Sequence, residues 1–421
     1  LVRSRGLGDV YKRQLQNLSK MKKILFCILA LYSPVSILIA QNTTNSPTSM
    51  FGLGEISTGE GGQYAGLGGA GIALRGSNFL NTANPASLTE LTEQRFQIDA
   101  GIMGSYQNYT QRGASNHSVT GNLNNLSIGC RIIPRWYGAV FLAPVSSVGY
   151  AITLDEEIAG TNGSTVSSLF QGEGGLSKMG VSTAYLFDKG LSVGTNLSYV
   201  TGTITQTETQ GNATEETSSY KHTFYADFGI QYKWAIDRER FFVAGAVYGY
   251  SQNFRQENNL YVSSSSGGED IESSLKRYRQ CLPQFFGVGA SYNCLRWMAT
   301  IDYKYIDWSR MESSQSNVSF QNQHRLSLGG KYTPGNVYRN PVSLLLGTGI
   351  SNSYIVIQKK KATDYYISTG LNFGLRNNNV LSFGLKYKGQ MKVPNGMQKE
   401  NSFSLFLNIT FSERTYRAKI Q

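Results

Sequence analysis

The chain is poor in charge. Asp, Glu, Lys and Arg make up 16% of its 421 residues, well under the usual quarter. That excludes long charged helices and coiled coils, and it is also wrong for most disordered chains. Mean hydropathy is −0.27, which excludes a helical membrane bundle. Beyond residue 40 no apolar run approaches the roughly 18 residues that a spanning helix needs. Proline is scarce, with nine residues, and histidine is limited to His117, His222 and His324. The four cysteines exclude a disulfide-dense scaffold. Cys27 falls in the first forty residues, and the remaining three, Cys130, Cys281 and Cys294, cannot form a closed framework. A Cys281–Cys294 bridge stays open as a pairing. What is abundant is glycine, 46 residues, and tyrosine, 26, among many Ser, Thr and Asn. This composition points to many strands joined by polar loops.

Half of the +12 net charge sits at the start. Arg3, Arg5, Lys12, Arg13, Lys20, Lys22 and Lys23 face only Asp9 within residues 1–40. Met21 begins a pattern of two lysines, an apolar stretch broken at Ser33-Pro34, and the small Ala40. This reads as a secretory signal peptide over residues 21–40. Residues 1–20 read as non-native read-through. The longest cationic run after residue 40 is Lys359-Lys360-Lys361, which is no basic stripe, so nucleic acid is not an expected partner.

From residue 95 onward the pattern is alternation. In 401–411, Phe403, Leu405, Leu407, Ile409 and Phe411 alternate with Ser402, Ser404, Phe406, Asn408 and Thr410. Successive strand side chains point to opposite faces, so one face is apolar and the other mostly polar. Fourteen such runs are found: 95–105, 122–133, 136–154, 177–187, 190–204, 220–234, 239–254, 277–292, 295–308, 322–333, 340–350, 365–375, 379–390 and 401–411. Pro144 predicts a kink or bulge in the long third run.

Gaps between runs alternate long and short: 106–121, 155–176, 205–219, 255–276, 309–321, 351–364 and 391–400 against turns of two to six residues. Long loops at one end and tight turns at the other are the layout of an outer-membrane barrel. The expected fold is therefore all-β, a 14-stranded antiparallel transmembrane barrel over 95–411, with 412–421 as a periplasmic tail. A soluble periplasmic sandwich would bury its apolar face between sheets and gives no reason for this loop pattern. Trp136, Tyr137, Trp234, Trp297, Tyr303, Tyr305 and Trp308 are expected at interfacial girdles. With the apolar register facing lipid, Arg131, Asp227, Lys233, Asp302, Lys304, Arg325, Lys331, Lys386 and Lys388 point inward.

Residues 41–94 do not alternate. Gly66-Leu67-Gly68-Gly69-Ala70-Gly71 matches G-x-G-x-x-G, but without a preceding strand or a βαβ unit it is no dinucleotide fingerprint, and no cofactor is expected. Close backbone packing against a wall explains the glycines better. Asn84 as N-cap and Pro85 at the first position predict a short helix. The segment reads as a glycine-rich plug in the lumen.

The stretch from Tyr64 to Leu74, with Gly66, Gly68, Gly69 and Gly71, and then Asn84-Pro85-Ala86, resembles the N-terminal hatch of the FadL/TodX family of outer-membrane transport proteins. The resemblance implies a fourteen-stranded barrel and an N-terminal hatch at 41–94. It also implies passive uptake of small hydrophobic molecules: capture at the loops, a hatch shift, and exit through a gap in the wall. Partners would be outer-membrane lipid or lipopolysaccharide and a small hydrophobic ligand. The pattern is also similar to the type IX secretion component PorV, which would make exported proteins the partner. No apolar helical pair for lipid capture stands in 155–176 or 255–276. The inward Arg131, Arg325 and Lys386 are candidates to guide an anionic head group. The alternative is that such cations pair with Glu90 and Glu93.

No H-E-x-x-H or G-x-S-x-G occurs. His222 with Asp227 and Ser218 or Ser219 is the only imaginable hydrolase set, and solvated rim residues are the simpler reading. Glu269, Asp270 and Glu272 could hold Ca²⁺ weakly, although a solvated loop is the default. Neither a catalytic residue nor a metal site is expected.

Overall fold

The computed structural model describes residues 46–414 apart from 58–60, 62, 112–113, 158–164, 266, 268–269, 276–277, 314 and 393–397. The expected read-through, signal peptide, start of the hatch and end of the tail lie outside the described residues, as does Glu269.

Fourteen antiparallel strands follow one another around the wall. They are β1 Arg95–Gln111, β2 Ala114–Ile133, β3 Trp136–Glu157, β4 Thr165–Leu186, β5 Leu191–Gln210 and β6 Ala213–Ala235. Strand β7 runs Phe241–Gly249 and resumes as Arg255–Ser264, and β8 runs Ile271–Ser274 and resumes as Gln284–Asn293. Then come β9 Trp297–Asp307, β10 Gln323–Tyr332, β11 Val342–Ile357, β12 Lys360–Gly374, β13 Val380–Lys392 and β14 Lys399–Arg414. β14 pairs back onto β1 from Arg95↔Arg414 to Thr110↔Lys399, which closes the barrel. Closure leaves no terminal strand edge, the condition a sheet must meet in lipid.

The alternation is realised as expected. Phe403, Leu405, Leu407, Ile409 and Phe411 are exposed on the outside of β14, and Ser404, Asn408 and Thr410 are buried inside. Trp136, Trp234 and Trp297 are exposed at the turn end, where indole rings favour an interface. Two girdle expectations fail. Tyr137 is buried against residues 80–91, and Trp308 is 1% exposed, stacked on Tyr354 at 4.3 Å. Both rings find apolar partners inside the lumen, and burying their area there outweighs an interfacial position.

The long loops also differ from expectation. Most of 106–121, 155–176, 205–219 and 351–364 is strand that projects as tall hairpins, with Gln111↔Ala114, Gln210↔Ala213 and Ile357↔Lys360 next to the tips. Their inner faces bury single residues such as Tyr109, Tyr354 and Val356, so the strict apolar alternation stops while threonine and valine continue the ladder. The residues between β9 and β10 keep a loop that turns inward, with one short strand at Val318–Phe320.

Pro144 does mark a bulge: the β3–β4 register shifts between Pro144 and Ser146. The same strand leaves its other neighbour there. β2 and β3 pair only from Leu126–Ile133 to Trp136–Leu142. Above that, among the described residues, no ladder pairs 114–125 with 143–157. The seam is open toward the rim opposite the short turns.

Candidate functional site

The described residues of the expected hatch run inside the barrel, against its wall. Pro47–Met50 is a single 3₁₀ turn, and Glu55–Ile56 adds as a short antiparallel strand to Ser146–Ser147 of β3, at the foot of the open seam. Ser57 N–H donates to the Val145 carbonyl at 2.9 Å. The chain then descends through 63–94 to the turn end.

A non-repetitive backbone inside a barrel must find partners for its amides and carbonyls. Here the wall's polar side chains supply them. Asp302 of β9 accepts from the N–H groups of Gly71 and Ile72 through one oxygen, at 2.6 and 2.7 Å. Gly68 N–H donates to Ser368 Oγ at 2.9 Å. Gln231 Nε2 donates to the Ile72 carbonyl at 2.8 Å, and Ser291 Oγ to the Ala73 carbonyl at 2.8 Å. Asn84 is fully buried; its amide donates to the Ile72 carbonyl at 2.7 Å and its oxygen accepts from Ala86 N–H at 3.2 Å. It therefore caps Pro85–Glu90, a 3₁₀ turn with Pro85 at its start. The turn rests on the wall where Gly194 and Gly229 leave room. A Cβ at Gly194 would come within 2.6 Å of the Pro85 carbonyl carbon, and one at Gly229 within 2.9 Å of the Pro85 ring.

The expected glycines serve this contact. Gly68 has φ +65°, and a Cβ there would come within 2.8 Å of backbone atoms of both Leu328 and Thr348. Only glycine suits both conditions. Gly66 presses on Leu345, and Gly71 packs against Tyr64. Burial raises the Tyr64 hydroxyl well above its ordinary pKa, with the Asp99 and Asp302 carboxylates adding to the effect. Asp302, Gln231, Ser291 and Ser368 hold the segment through contacts that the sequence reading did not assign to it. The signal available was the demand of a glycine-rich backbone for donors and acceptors.

The three candidate guiding cations do not meet. Arg131 forms an ion pair with Glu93 at the turn end, the alternative weighed for it. Nearby, Glu90 takes Lys233 at 2.7 Å and Arg75 at 3.4 Å. Burial lowers the Arg75 pKa, and Glu90 opposes that shift. Arg325 and Lys386 are brought together. Both lie against the Tyr366 ring, at 5.4 and 4.7 Å from its centre, and both line a cavity of about 230 Å³ in the upper lumen. The cavity is mixed, with charged groups on one side. Lys388, Asp364, Glu400 and Glu55 share its wall, with Lys388 at 3.4 Å from Glu55 and 3.5 Å from Asp364. Ser46 Oγ donates to Glu400 at 2.9 Å. Met103, Leu123, Pro144 and Phe406 give it an apolar side, and Asn122, Leu123 and Pro144 stand on the two strands of the open seam.

Beside this cavity the lumen is filled by an apolar core. Leu53, Leu176, Val200, Phe254, Cys281, Leu282, Trp308, Met311 and Tyr354 are buried together. Tyr354 also donates its hydroxyl to the Gly54 carbonyl at 2.6 Å. The interruptions in β7 and β8 and the loop after β9 turn inward to build this core.

The imagined hydrolase set does not assemble. Asp227 is buried inward and donor-bonded by Asn196 at 2.6 Å, whereas His222 packs among Tyr199 and Tyr220 on the outward register. Ser219 is bonded to Asn258 and Lys221. His117 stacks on Tyr106. Asp270 and Glu272 are exposed, and among the described residues no group of three His, Cys, Asp or Glu side chains could hold a metal. Cys130, Cys281 and Cys294 are all free thiols, so the bridge left open for Cys281 and Cys294 does not form. Cys281 sits in the upper core and Cys294 in the turn between β8 and β9.

Among solved structures, the chain is similar to the toluene transporter TodX of P. putida, with a TM-score of 0.60 at 13% identity, covering 86% of this chain and 100% of the other. It is similar to a FadL homologue from Pseudomonas aeruginosa, TM-score 0.58 at 12% identity, covering 87% and 100%. It is also similar to the CymD monoaromatic hydrocarbon channel, TM-score 0.55 at 15% identity, covering 86% and 99%. At these identities the likeness shows the fold, the outer-membrane barrel of the FadL/TodX type. None of the curated proteins matches the chain. The model of the BamG family matches residues 20–420, nearly the whole sequence, and the chain belongs to that family.

Proposed function

We propose that this protein is an outer-membrane channel for passive passage of small hydrophobic molecules, with residues 41–94 as its hatch. The observation that carries the reading is the open seam between β2 and β3, which adjoins the lumen cavity. A molecule in the cavity would reach lipid sideways once Glu55–Ile56 left β3. The solved toluene transporter and hydrocarbon channel share this fold, which supports the class of cargo. Arg325 and Lys386 would hold the polar end of an anionic molecule, while Met103, Leu123 and Phe406 would face its apolar part. Arg131, paired with Glu93, would take no part.

The test is mass spectrometry of small molecules retained by protein extracted in mild detergent, beside an Asn84→Ala/Pro85→Ala variant. A stoichiometric apolar compound, altered in the variant, supports the channel. A barrel free of such compounds in both proteins refutes it. A second reading, a PorV-like carrier for exported proteins, is favoured by the charged lining of the cavity, which suits an apolar molecule poorly.

A further inference from the structure

The open seam has a second property, independent of the channel reading. Its two sides are strand edges. The neighbouring seams are paired almost to the tips, β1–β2 up to Gln111↔Ala114 and β3–β4 up to Glu157↔Thr165. Between β2 and β3 the ladder stops at Leu126↔Leu142. On β3 the lower part of this edge is already used. Ser147 pairs with Glu55, the Val145 carbonyl takes Ser57 N–H, and Gly149 N–H and C=O both bond to Ser49 Oγ. These three are odd-numbered, so the groups of Ala151, Thr153, Asp155 and Glu157 point into the seam as well. Among the described residues they have no ladder partner. Natural edges are usually blunted by charged side chains, proline or a covering element; 151–157 carries no lysine or proline, and its charges, Asp155, Glu156 and Glu157, are all acidic, which deters an acidic strand but not a basic one.

The charge around this edge is one-sided. Residues 145–177 and 201–220 contain Asp155, Glu156, Glu157, Glu173, Glu208, Glu215 and Glu216, and neither lysine nor arginine. All of these except the half-buried Glu216 are exposed. The β3–β6 hairpins thus form an acidic wall on a chain that is cationic overall. Such a wall repels a second copy of itself and attracts cations.

We infer that the upper edge of β3, Ala151–Glu157, is a docking site for an extended, lysine- or arginine-bearing segment of a partner polypeptide, which adds as a strand. Backbone pairing supplies the affinity, and the acidic wall selects the basic sequence. Glu55–Ile56 demonstrates the same addition two turns of the pleat lower. The site would give the carrier reading a physical location, and it stands equally if a small molecule crosses the barrel.

The probe is a nine-residue peptide of alternating Lys and Val, labelled and titrated by fluorescence anisotropy against the full chain in detergent at low salt. Controls are the Glu/Val peptide and a Lys/Val peptide methylated on two adjacent central nitrogens, which blocks both of its edges. Binding of the Lys/Val peptide is expected. It should weaken about tenfold with Asp155→Asn/Glu173→Gln/Glu216→Gln, given three charge pairs lost at once. It should weaken at least as much on methylation, or with Thr153→Pro, which removes an N–H aimed into the seam. Equal binding of the methylated peptide would reduce the effect to charge adsorption and overturn the inference. Equal binding of the Glu/Val peptide, or no binding at all, would overturn it too. The methylated peptide leaves the protein unaltered, so the test survives if Thr153→Pro fails to fold.

Discussion

Asp302→Ala gives the sharpest test of how the inner segment is held. The carboxylate takes two backbone N–H groups, at 2.6 and 2.7 Å, in a buried site. Hydrogen bonds to a charged group contribute about 1.5–3 kcal/mol each, so the two together tie Gly71–Ile72 to β9 by about 3–6 kcal/mol. Asn84, Gln231, Ser291 and Ser368 still hold the flanks, so the lower figure is the one to expect. A loss of about 3 kcal/mol corresponds to roughly 100-fold faster hydrogen exchange by local opening. The amides to read are Gly69, Ala70 and Leu74, which donate to carbonyls of the segment itself and lose no partner directly. Asp302→Asn keeps one acceptor oxygen without charge and should give about tenfold. Amides of β9 should stay slow in both variants. If exchange rises at Gly71 and Ile72 alone, Asp302 is a satisfied polar group and not an anchor, and the reasoning fails.

Other expectations concern packing, charge and turns. Gly68→Ala should cost more than about 2 kcal/mol, because it combines a positive φ with a backbone clash. Gly330→Ala, whose Cβ would find only the Met298 carbonyl at 3.8 Å, should stay within about 0.5 kcal/mol; urea midpoints in detergent compare the two. Trp308→Ala should destabilise by about 3–5 kcal/mol in the same assay, since the ring is buried and stacked. Charge reversal at Arg131 should lower stability by about 1 kcal/mol at low salt and leave uptake of anionic compounds unchanged, because its partner Glu93 is largely exposed. Reversal at Arg325, on the cavity wall, should reduce that uptake; the opposite ranking in an uptake assay would reject the placement. Gln358 and Lys359 both have positive φ at a two-residue hairpin tip, so Asn-Gly there should stabilise by about 1 kcal/mol, read as a raised melting temperature.

The barrel was legible because one physical condition acts on every strand. Lipid outside and polar groups inside impose period two, and Phe403 to Phe411 record it without a break. Where the condition ends, the record ends. In Thr205–Gln210 threonine occupies every odd position and continues the ladder to Gln210↔Ala213, but no apolar residue alternates with it and the run looked like a loop. Tyr137 and Trp308 were misplaced for a related reason. An aromatic ring near a strand end serves an interface or a core equally well, and only the position of the inner segment decides between them. Pro144 announced a bulge. That the bulge would also part β3 from β2 depends on pairing across the wall, which one sequence does not record.

The inward charges show how far the sequence could have been pushed. Counted on the wall alone, they form a cationic excess that invites an anionic ligand. Yet three of the cations meet acids of the inner segment: Arg131 with Glu93, Lys233 with Glu90, and Lys388 with Glu55. A buried charge is costly unless paired, so a plug that fills a cationic lumen should carry acids, and residues 41–94 carry Glu55, Glu60, Glu90 and Glu93 against Arg75. The pairing expected with Glu90 and Glu93 holds for Arg131, but a count of charges does not say which cation meets which acid; only the fold brings Arg325 and Lys386 together beside Tyr366. The same balance separates two jobs for polar lumen residues. Asp302, Gln231 and Ser291 satisfy a backbone that has no ladder of its own, and they sit low, where the segment is densely held. The cavity lies higher, where Glu55–Ile56 makes a short pairing with β3 at the open seam.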